Sequence, residues 1–306
     1  MIEVTIRGIS EPYRDMFHIS SGQLEQCVLL PRLSKDAIMK LTEISRPTCW
    51  VYVKRESEDY PRVLHDKDYE IELYAYDTAL LAMWTPDGQL AEDLADYLAV
   101  FVTPHQSDVE QLVRLAVERH PKQAMPGYQG AEYIVNGQRQ VNLAEARNIS
   151  QLQAKAFFET LKKEVRLRYT NALGNFGKQP HQTTQRVRVP FISLANNLGL
   201  GQANCVDGAV LFASLLENLD MEPLIVLVPG HAFVGWRIWR GVDDYDFLET
   251  TMIATRSFQA ALDKGNSRYQ AARQNGYSER SLFHPEGFMR VVDIAACRRQ
   301  KINPLM

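Results

Sequence analysis

Apolar residues crowd one part of the chain almost without interruption. From Val206 to Leu219 the sequence runs Val-Asp-Gly-Ala-Val-Leu-Phe-Ala-Ser-Leu-Leu-Glu-Asn-Leu, apolar nearly all round at helical spacing, with no proline before Pro223. Such a run predicts a buried central helix, and Asn204 just ahead of it is a good N-cap. After Pro223 the pattern changes to Leu-Ile-Val-Leu-Val, of strand length and partly β-branched, then breaks at Pro229-Gly230. Two further runs follow, His231 to Trp239 and Tyr245 to Thr251, separated by the polar turn Arg240-Gly241-Val242-Asp243-Asp244. The order is a helix and then a β-meander.

The patterning elsewhere is weaker. Residues 2 to 9 alternate, and strand-like runs recur at Gln26 to Pro31, Thr48 to Lys54, Tyr69 to Tyr76 and Leu80 to Trp84, with turn signals between them. Leu33 to Ser45 reads as a helix or as a crossing loop, and Leu90 to Phe101 as a short helix or a last strand. These runs predict a β-rich N-terminal domain over residues 1–103, closed at Thr103-Pro104, and a second domain over 104–306. That domain opens with a helix beginning near Ser107 and continues with a long helix from Asn142 to Tyr169, whose stripe is Ile149, Leu152, Ala156, Phe157, Leu161 and Val165. A polar stretch from Thr170 to Gln185 and a short strand from Gln185 to Pro190 lead to the central helix. Beyond the meander, Ser257 caps another helix and Phe288 to Ile294 reads as a strand.

Chemistry enters where the central helix begins. Cys205 follows the cap, so its thiol lies against unpaired backbone N–H groups and the positive end of the helix dipole, which favour a thiolate nucleophile. If the last two strands form a hairpin with its tip near Gly241 to Val242, His231 falls opposite Glu249, give or take two residues. A carboxylate beside an imidazole holds one tautomer and stabilises the imidazolium, leaving the second ring nitrogen for the thiol. Asp246 is the reserve for the acid. An isolated Cys, His or Glu in such positions is ordinarily structural; the three together in one compact unit carry the catalytic reading.

The segments Asn204-Cys205-Val206-Asp207, Gly230-His231-Ala232-Phe233 and Glu249-Thr250-Thr251 resemble the transglutaminase-like branch of the papain-type cysteine enzymes, over roughly residues 145 to 295. That resemblance implies an α+β catalytic domain in which a helix-borne Cys packs on an antiparallel sheet. It also implies a triad of Cys205 as nucleophile, His231 as general base and Glu249 as acid, with Glu249-Thr250-Thr251 standing where the family usually has Asp-Pro-Thr. The expected reaction is hydrolysis of a peptide or amide bond in a protein or peptide substrate through a Cys thioester. Protein-glutamine cross-linking or deamidation is the enzymatic alternative, and a non-catalytic binding module on the same fold is the alternative of another class. Asn204 and Gln185 are candidates for the second oxyanion donor beside the Cys205 backbone N–H.

Composition narrows the setting. With 306 residues, 45% of them hydrophobic, and a formal charge of −3, the chain has enough apolar content for proper cores and no basic excess calling for nucleic acid or an anionic membrane. Cys27, Cys49, Cys205 and Cys297 show neither disulfide-framework nor zinc-ribbon spacing, and no cofactor or metal is expected. The start, Met1-Ile2-Glu3-Val4-Thr5-Ile6-Arg7, has charges where a signal peptide needs an apolar core, so a reducing cytoplasm is the expected location. Gly199-Leu200-Gly201 lacks the Lys-Ser/Thr of a phosphate loop. Arg186 and Arg188 read as surface ion-pair residues. The aromatics of the first domain, such as Trp50, Tyr52 and Trp84, read as sheet-face residues.

Overall fold

A computed structural model describes residues 1–27, 29, 31–56, 60–136, 138–170, 177–179, 181–188, 202–274 and 289–305. The chain is mixed α+β with several antiparallel sheets. It divides into two compact units, Met1–Thr78 and Ala79–Met306.

In the first unit, β1 (Ile2–Ile6), β2 (Tyr13–Asp15), β3 (Thr48–Arg55) and β4 (Arg62–Glu70) form one sheet in the order β2-β1-β3-β4, and the four-residue helix α1 (Lys35–Ile38) lies in the connection between β2 and β3. Alternation along β1 buries Val4 and Ile6 on one face. The other face carries Thr5, Trp50 and Asp68 in register, with the Trp50 indole donating to Asp66 at 2.7 Å and Arg7 paired with Asp68 at 3.0 Å. Leu33 to Ser45 is therefore mostly loop with one short helix. The strand expected at Tyr69 to Tyr76 lies earlier, because β4 is charged and is held by pairing with β3 rather than by apolar alternation. No strand forms at Gln26 to Pro31 among the described residues; both edges of β1 are already taken by β2 and β3.

The second unit opens with β5 (Thr78–Trp84) and β6 (Leu90–Asp93), then a 3₁₀ segment over Ala95–Phe101 and helix α2 (Ser107–Val117). The Leu90 to Phe101 stretch is thus a strand followed by a helix. The division between units falls at the start of β5, after Thr78, and not at Thr103-Pro104, because Leu81, Leu98, Ala99 and Val102 are fully buried in the same core as α2 and the central helix. Next come the hairpin β7 (Glu132–Val135) and β8 (Gln138–Val141), then α3 (Leu143–Thr160), N-capped by Asn142 and extended by a π turn over Leu161–Val165. This helix stops short of the expected Tyr169: Arg166 takes a left-handed φ of 50°, and β9 (Arg168–Tyr169) follows. β10 (Gly177–Gln179) and β11 (Gln182–Arg186) join β5 and β6 in the order β10-β11-β5-β6, so the strand before the nucleophile begins three residues ahead of Gln185. Pro190 and the glycine lead-in at 199–201 lie outside the described residues.

Helix α4 (Cys205–Asn218) follows β12 (Gln202–Ala203), which pairs in parallel with β9. Every residue of α4 from Cys205 to Leu216 is buried, as its all-round apolar sequence predicts. The meander is β13 (Pro223–Val228), β14 (His231–Arg237) and β15 (Tyr245–Leu248); β16 (Arg290–Asp293) completes a sheet ordered β15-β14-β13-β16, and α6 (Ile294–Arg299) follows it directly. Alternation divides this sheet between two helices. Ile225, Leu227, Ala232, Val234 and Trp236 share the main core with α4, whereas Leu224, Val226, Phe233 and Phe247 pack with Ala272 of α5 (Phe258–Gln274). Gly265 makes the second contact possible: a Cβ there would lie 2.3 Å from the Phe247 carbonyl oxygen. None of the described helices is long and apolar enough to cross a membrane.

Candidate active site

Cys205 is the first residue of α4, and the turn before it is fastened twice. Asn204 Oδ1 accepts from the Asp207 N–H at 2.8 Å, while Asp207 Oδ2 accepts from the Asn204 N–H at 3.2 Å, a reciprocal capping box. The same carboxylate takes the Arg188 N–H at 2.8 Å and lies 3.8 Å from the Arg188 guanidinium. The chain beyond β11 is thereby bound to the start of the helix. Arg188 is an ion-pair residue, as expected, and its partner is a buried carboxylate.

His231 is the first residue of β14. It closes a tight turn on Val228, with Gly230 at φ 70° supplying the left-handed residue that the turn requires. By alternation His231 belongs with Phe233 to the α5 face, and the two rings stack at 6.4 Å. Because it sits at the end of the sheet, its ring still meets the start of α4, and the imidazole hydrogen-bonds the Cys205 side chain. On the other side, His231 Nε2 lies 2.8 Å from Glu249 Oε2. With Nε2 engaged there, Nδ1 is the nitrogen left for the sulfur. The observed register sets Val234 against Leu248, so His231 and Glu249 meet diagonally and not directly opposite, within the two-residue margin of the sequence reading.

Glu249 divides its oxygens. Oε2 faces His231 and the Arg268 guanidinium, 3.4 Å away, while Oε1 accepts from the Thr251 hydroxyl at 2.7 Å and the Thr251 N–H at 3.3 Å, capping the 3₁₀ turn Thr250–Met252. The reserve acid, Asp246, stands elsewhere: it pairs with Arg147 of α3 and accepts from Gln151 at 3.0 Å. Gly208 explains how this loop comes so close to α4. A Cβ at that position would lie 2.9 Å from Thr250 Oγ1, a buried hydroxyl without a hydrogen-bond partner among the described residues.

Burial disfavours the His231 imidazolium, but hydrogen bonds to Cys205 and Glu249 outweigh it and raise the group from 6.5 to about 9. Burial likewise pushes the Glu249 carboxyl up; His231, Thr251 and Arg268 together bring it below its ordinary value. At neutral pH the pair is an imidazolium beside a carboxylate, and the imidazole's other side-chain partner is a helix-terminal cysteine. A narrow cavity beside this cluster is lined by Tyr169, Asn204, Gly208 and Thr250. Tyr169 is within electrostatic reach of Cys205 and Glu249, and burial followed by those two groups raises its phenol.

Two residues of the site were missed in the sequence reading. Arg268 had a signal, since it lies one helical turn beyond Gly265 on the buried Phe258, Ala261, Leu262, Gly265 stripe of α5. Tyr169 had none, being hidden in what read as the end of a long helix. Of the oxyanion candidates, Gln185 spends its Nε2 on the Arg186 carbonyl at 2.7 Å, whereas Asn204 engages only its acceptor Oδ1 in the cap, and the group that could donate to an oxyanion is its Nδ2. Trp236 points into the core, its indole donating to Ser150 at 3.2 Å, and Trp239 packs on Tyr128. None of the four cysteines is in a disulfide, and burial first of all raises the Cys297 thiol to about 12. Among the described residues no group of three His, Cys, Asp or Glu side chains is placed to hold a metal ion. The chain matches no protein-family model, no curated protein and no solved structure.

Proposed function

We propose that the chain is a thiol-dependent hydrolase of peptide or amide bonds, built on the transglutaminase-like plan. One observation carries the reading: the His231 imidazole joins the Cys205 thiol to the Glu249 carboxylate at the start of a buried helix. The family assignment rests on this geometry together with the three short motifs.

In the proposed reaction the Cys205 thiolate attacks the carbonyl carbon of the substrate, and the developing oxyanion is met by the Cys205 backbone N–H. The His231 imidazolium gives its proton to the departing amine, which leaves a thioester and a neutral ring. That ring then takes a proton from water, whose oxygen adds to the thioester carbonyl; collapse expels the thiolate and releases the acid. Throughout, Glu249 holds the ring and offsets the imidazolium charge.

Hydrolysis is preferred over transfer to an amine because Trp236 and Trp239 are engaged elsewhere, which leaves Phe233 beside His231 and the phenol of Tyr169 in the cavity beside the cluster, too little for an aromatic wall that excludes water. A protein or peptide is the proposed substrate, and a reducing cytoplasm the proposed setting for a reactive thiol held in no disulfide. The deciding experiment exposes the protein to a thiol-directed electrophile near neutral pH. Selective labelling of Cys205 over the exposed Cys27 is expected; equal or slower labelling of Cys205 would favour the non-catalytic reading.

A further inference from the structure

Charge at the candidate active site is divided by depth. Glu249 beside His231 and Asp207 in the first turn of α4 have side chains only 2% and 1% exposed. The guanidiniums that face them, Arg268 and Arg188, are 33% and 43% exposed. A third arginine, Arg168, is exposed and lines the narrow cavity beside the cluster. The acids are thus hidden and the guanidiniums shown, so this part of the surface is basic although the chain carries a formal charge of −3.

Arg268 stands at the reacting pair itself. Its Nε lies 3.4 Å from Glu249 Oε2, the same oxygen that faces His231 Nε2. Glu249 is the one carboxylate paired with it among the described residues. A guanidinium carries two further nitrogens in a planar fork, and that fork is the shape that takes a carboxylate through two parallel hydrogen bonds. A lysine would spend its single nitrogen on Glu249; an arginine can face the buried acid with Nε and a second acid with Nη1 and Nη2.

We propose, on the basis of the hydrolase reading above, that Arg268 selects the substrate: the preferred peptide carries a carboxylate close to the bond cleaved, held by the terminal nitrogens of Arg268, with Arg168 adding to the attraction. An acidic side chain and a free chain end offer the same group.

The test compares iodoacetate with iodoacetamide, an anion and a neutral amide of the same shape, as alkylating agents of Cys205 near pH 7, with rates read by mass spectrometry of the labelled peptide. The ratio of the two rates should fall by about threefold or more in Arg268→Gln. A role confined to positioning Glu249 would change both rates together and leave the ratio where it was. Loss of the guanidinium also raises the His231 pKa, which preserves the imidazolium and works against any fall in the ratio. A reactive Cys205 with the ratio unchanged or raised would overturn the proposal and spare the hydrolase reading; a Cys205 inert to both reagents would remove that reading and the proposal with it.

A second arm needs no substitution at Arg268. Cys205→Ala is titrated with acetyl-Ala-Glu-Ala-amide, with acetyl-Ala-Gln-Ala-amide, and with acetyl-Ala-Gln-Ala ending in a free carboxylate, and the Arg268 Nε–H is followed by NMR. One or both charged peptides should bind saturably, about threefold or more tighter than the neutral one, and move that signal. Preference for the glutamate peptide assigns the group to an acidic side chain, and preference for the free carboxylate to a chain end. An equal response to all three peptides, or none, would overturn the proposal.

Discussion

His231 Nε2 and Glu249 Oε2 stand 2.8 Å apart although their residues are diagonal neighbours across the end of a sheet. The contact depends on the length of the glutamate, and it sets the charge of the imidazole. In Glu249→Gln the ring loses its counter-charge, so kcat should fall by about 10²- to 10⁴-fold. The alkaline limb of kcat/KM, expected near pH 9 in the parent from the raised His231, should move down toward 6.5. A pH–rate profile of the two proteins checks both parts; an unmoved limb would mean that His231 is not the titrating group.

Cys205→Ala should reduce turnover to background while the helix it begins stays folded. The site is fully buried, so removing the sulfur is expected to cost about 1 kcal/mol in stability, far less than loss of the fold. Circular dichroism and thermal melting, run beside an activity assay, separate the two effects.

Gly208→Ala distinguishes a helix propensity effect from a packing one. In an exposed helix the change would stabilise by about 1 kcal/mol. Here the added Cβ would lie 2.9 Å from Thr250 Oγ1 and 3.2 Å from Thr250 Cβ, pushing on the turn that Glu249 caps. Destabilisation by about 1–3 kcal/mol is expected, together with a fall in kcat. A more stable variant with full activity would show that the turn yields without consequence.

Arg268→Gln acts in the opposite sense from Glu249→Gln. The guanidinium lowers the His231 pKa, so its removal should shift the alkaline limb upward. NMR titration of the His231 ring reads this directly, without reliance on turnover.

Stability should follow the same groups. The folded-state pKa of His231 lies above 6.5, so the folded chain binds more protons than the unfolded one between about 6.5 and 9. Its stabilising contribution is complete below 6.5 and disappears as the pH rises through 9. Glu249 is lowered, so its contribution is present above its ordinary value of 4.5 and is lost as the pH falls through the depressed one. Denaturant midpoints in Cys205→Ala, with and without Glu249→Gln, isolate the acidic arm.

The parts of the fold that could be read in the sequence are those that a continuous apolar pattern encodes. Helix α4 and strands β13 and β14 are buried on all sides, so their runs carry their own identity. β4 escaped because its sequence, Arg-Val-Leu-His-Asp-Lys-Asp-Tyr-Glu, has no buried face; pairing with β3 makes it a strand. Thr103-Pro104 was read as a domain boundary from local chain breaking, yet Leu98 and Val102 before it share a core with Val109 and Leu112 after it. Turn chemistry reports where the chain bends and not which core it rejoins. The positions of Cys205, His231 and Glu249 were legible because a cap, a hairpin and a register are local rules. Arg268 and Tyr169 reach the cluster through tertiary packing and β-pairing outside the helix-and-meander unit, and those local rules did not extend to them.

Glu249 gives one oxygen to the 3₁₀ turn at Thr251 and the other to His231. Local order and acid–base state are consequently two readouts of a single equilibrium. Any event that frays the turn releases the carboxylate and returns the histidine toward an ordinary imidazole; any event that neutralises the imidazole weakens one of the ties holding the turn. Amide exchange at Thr251 and the titration of His231 should therefore drift together under mild denaturant, so that the chemistry is lost by stages before the chain unfolds.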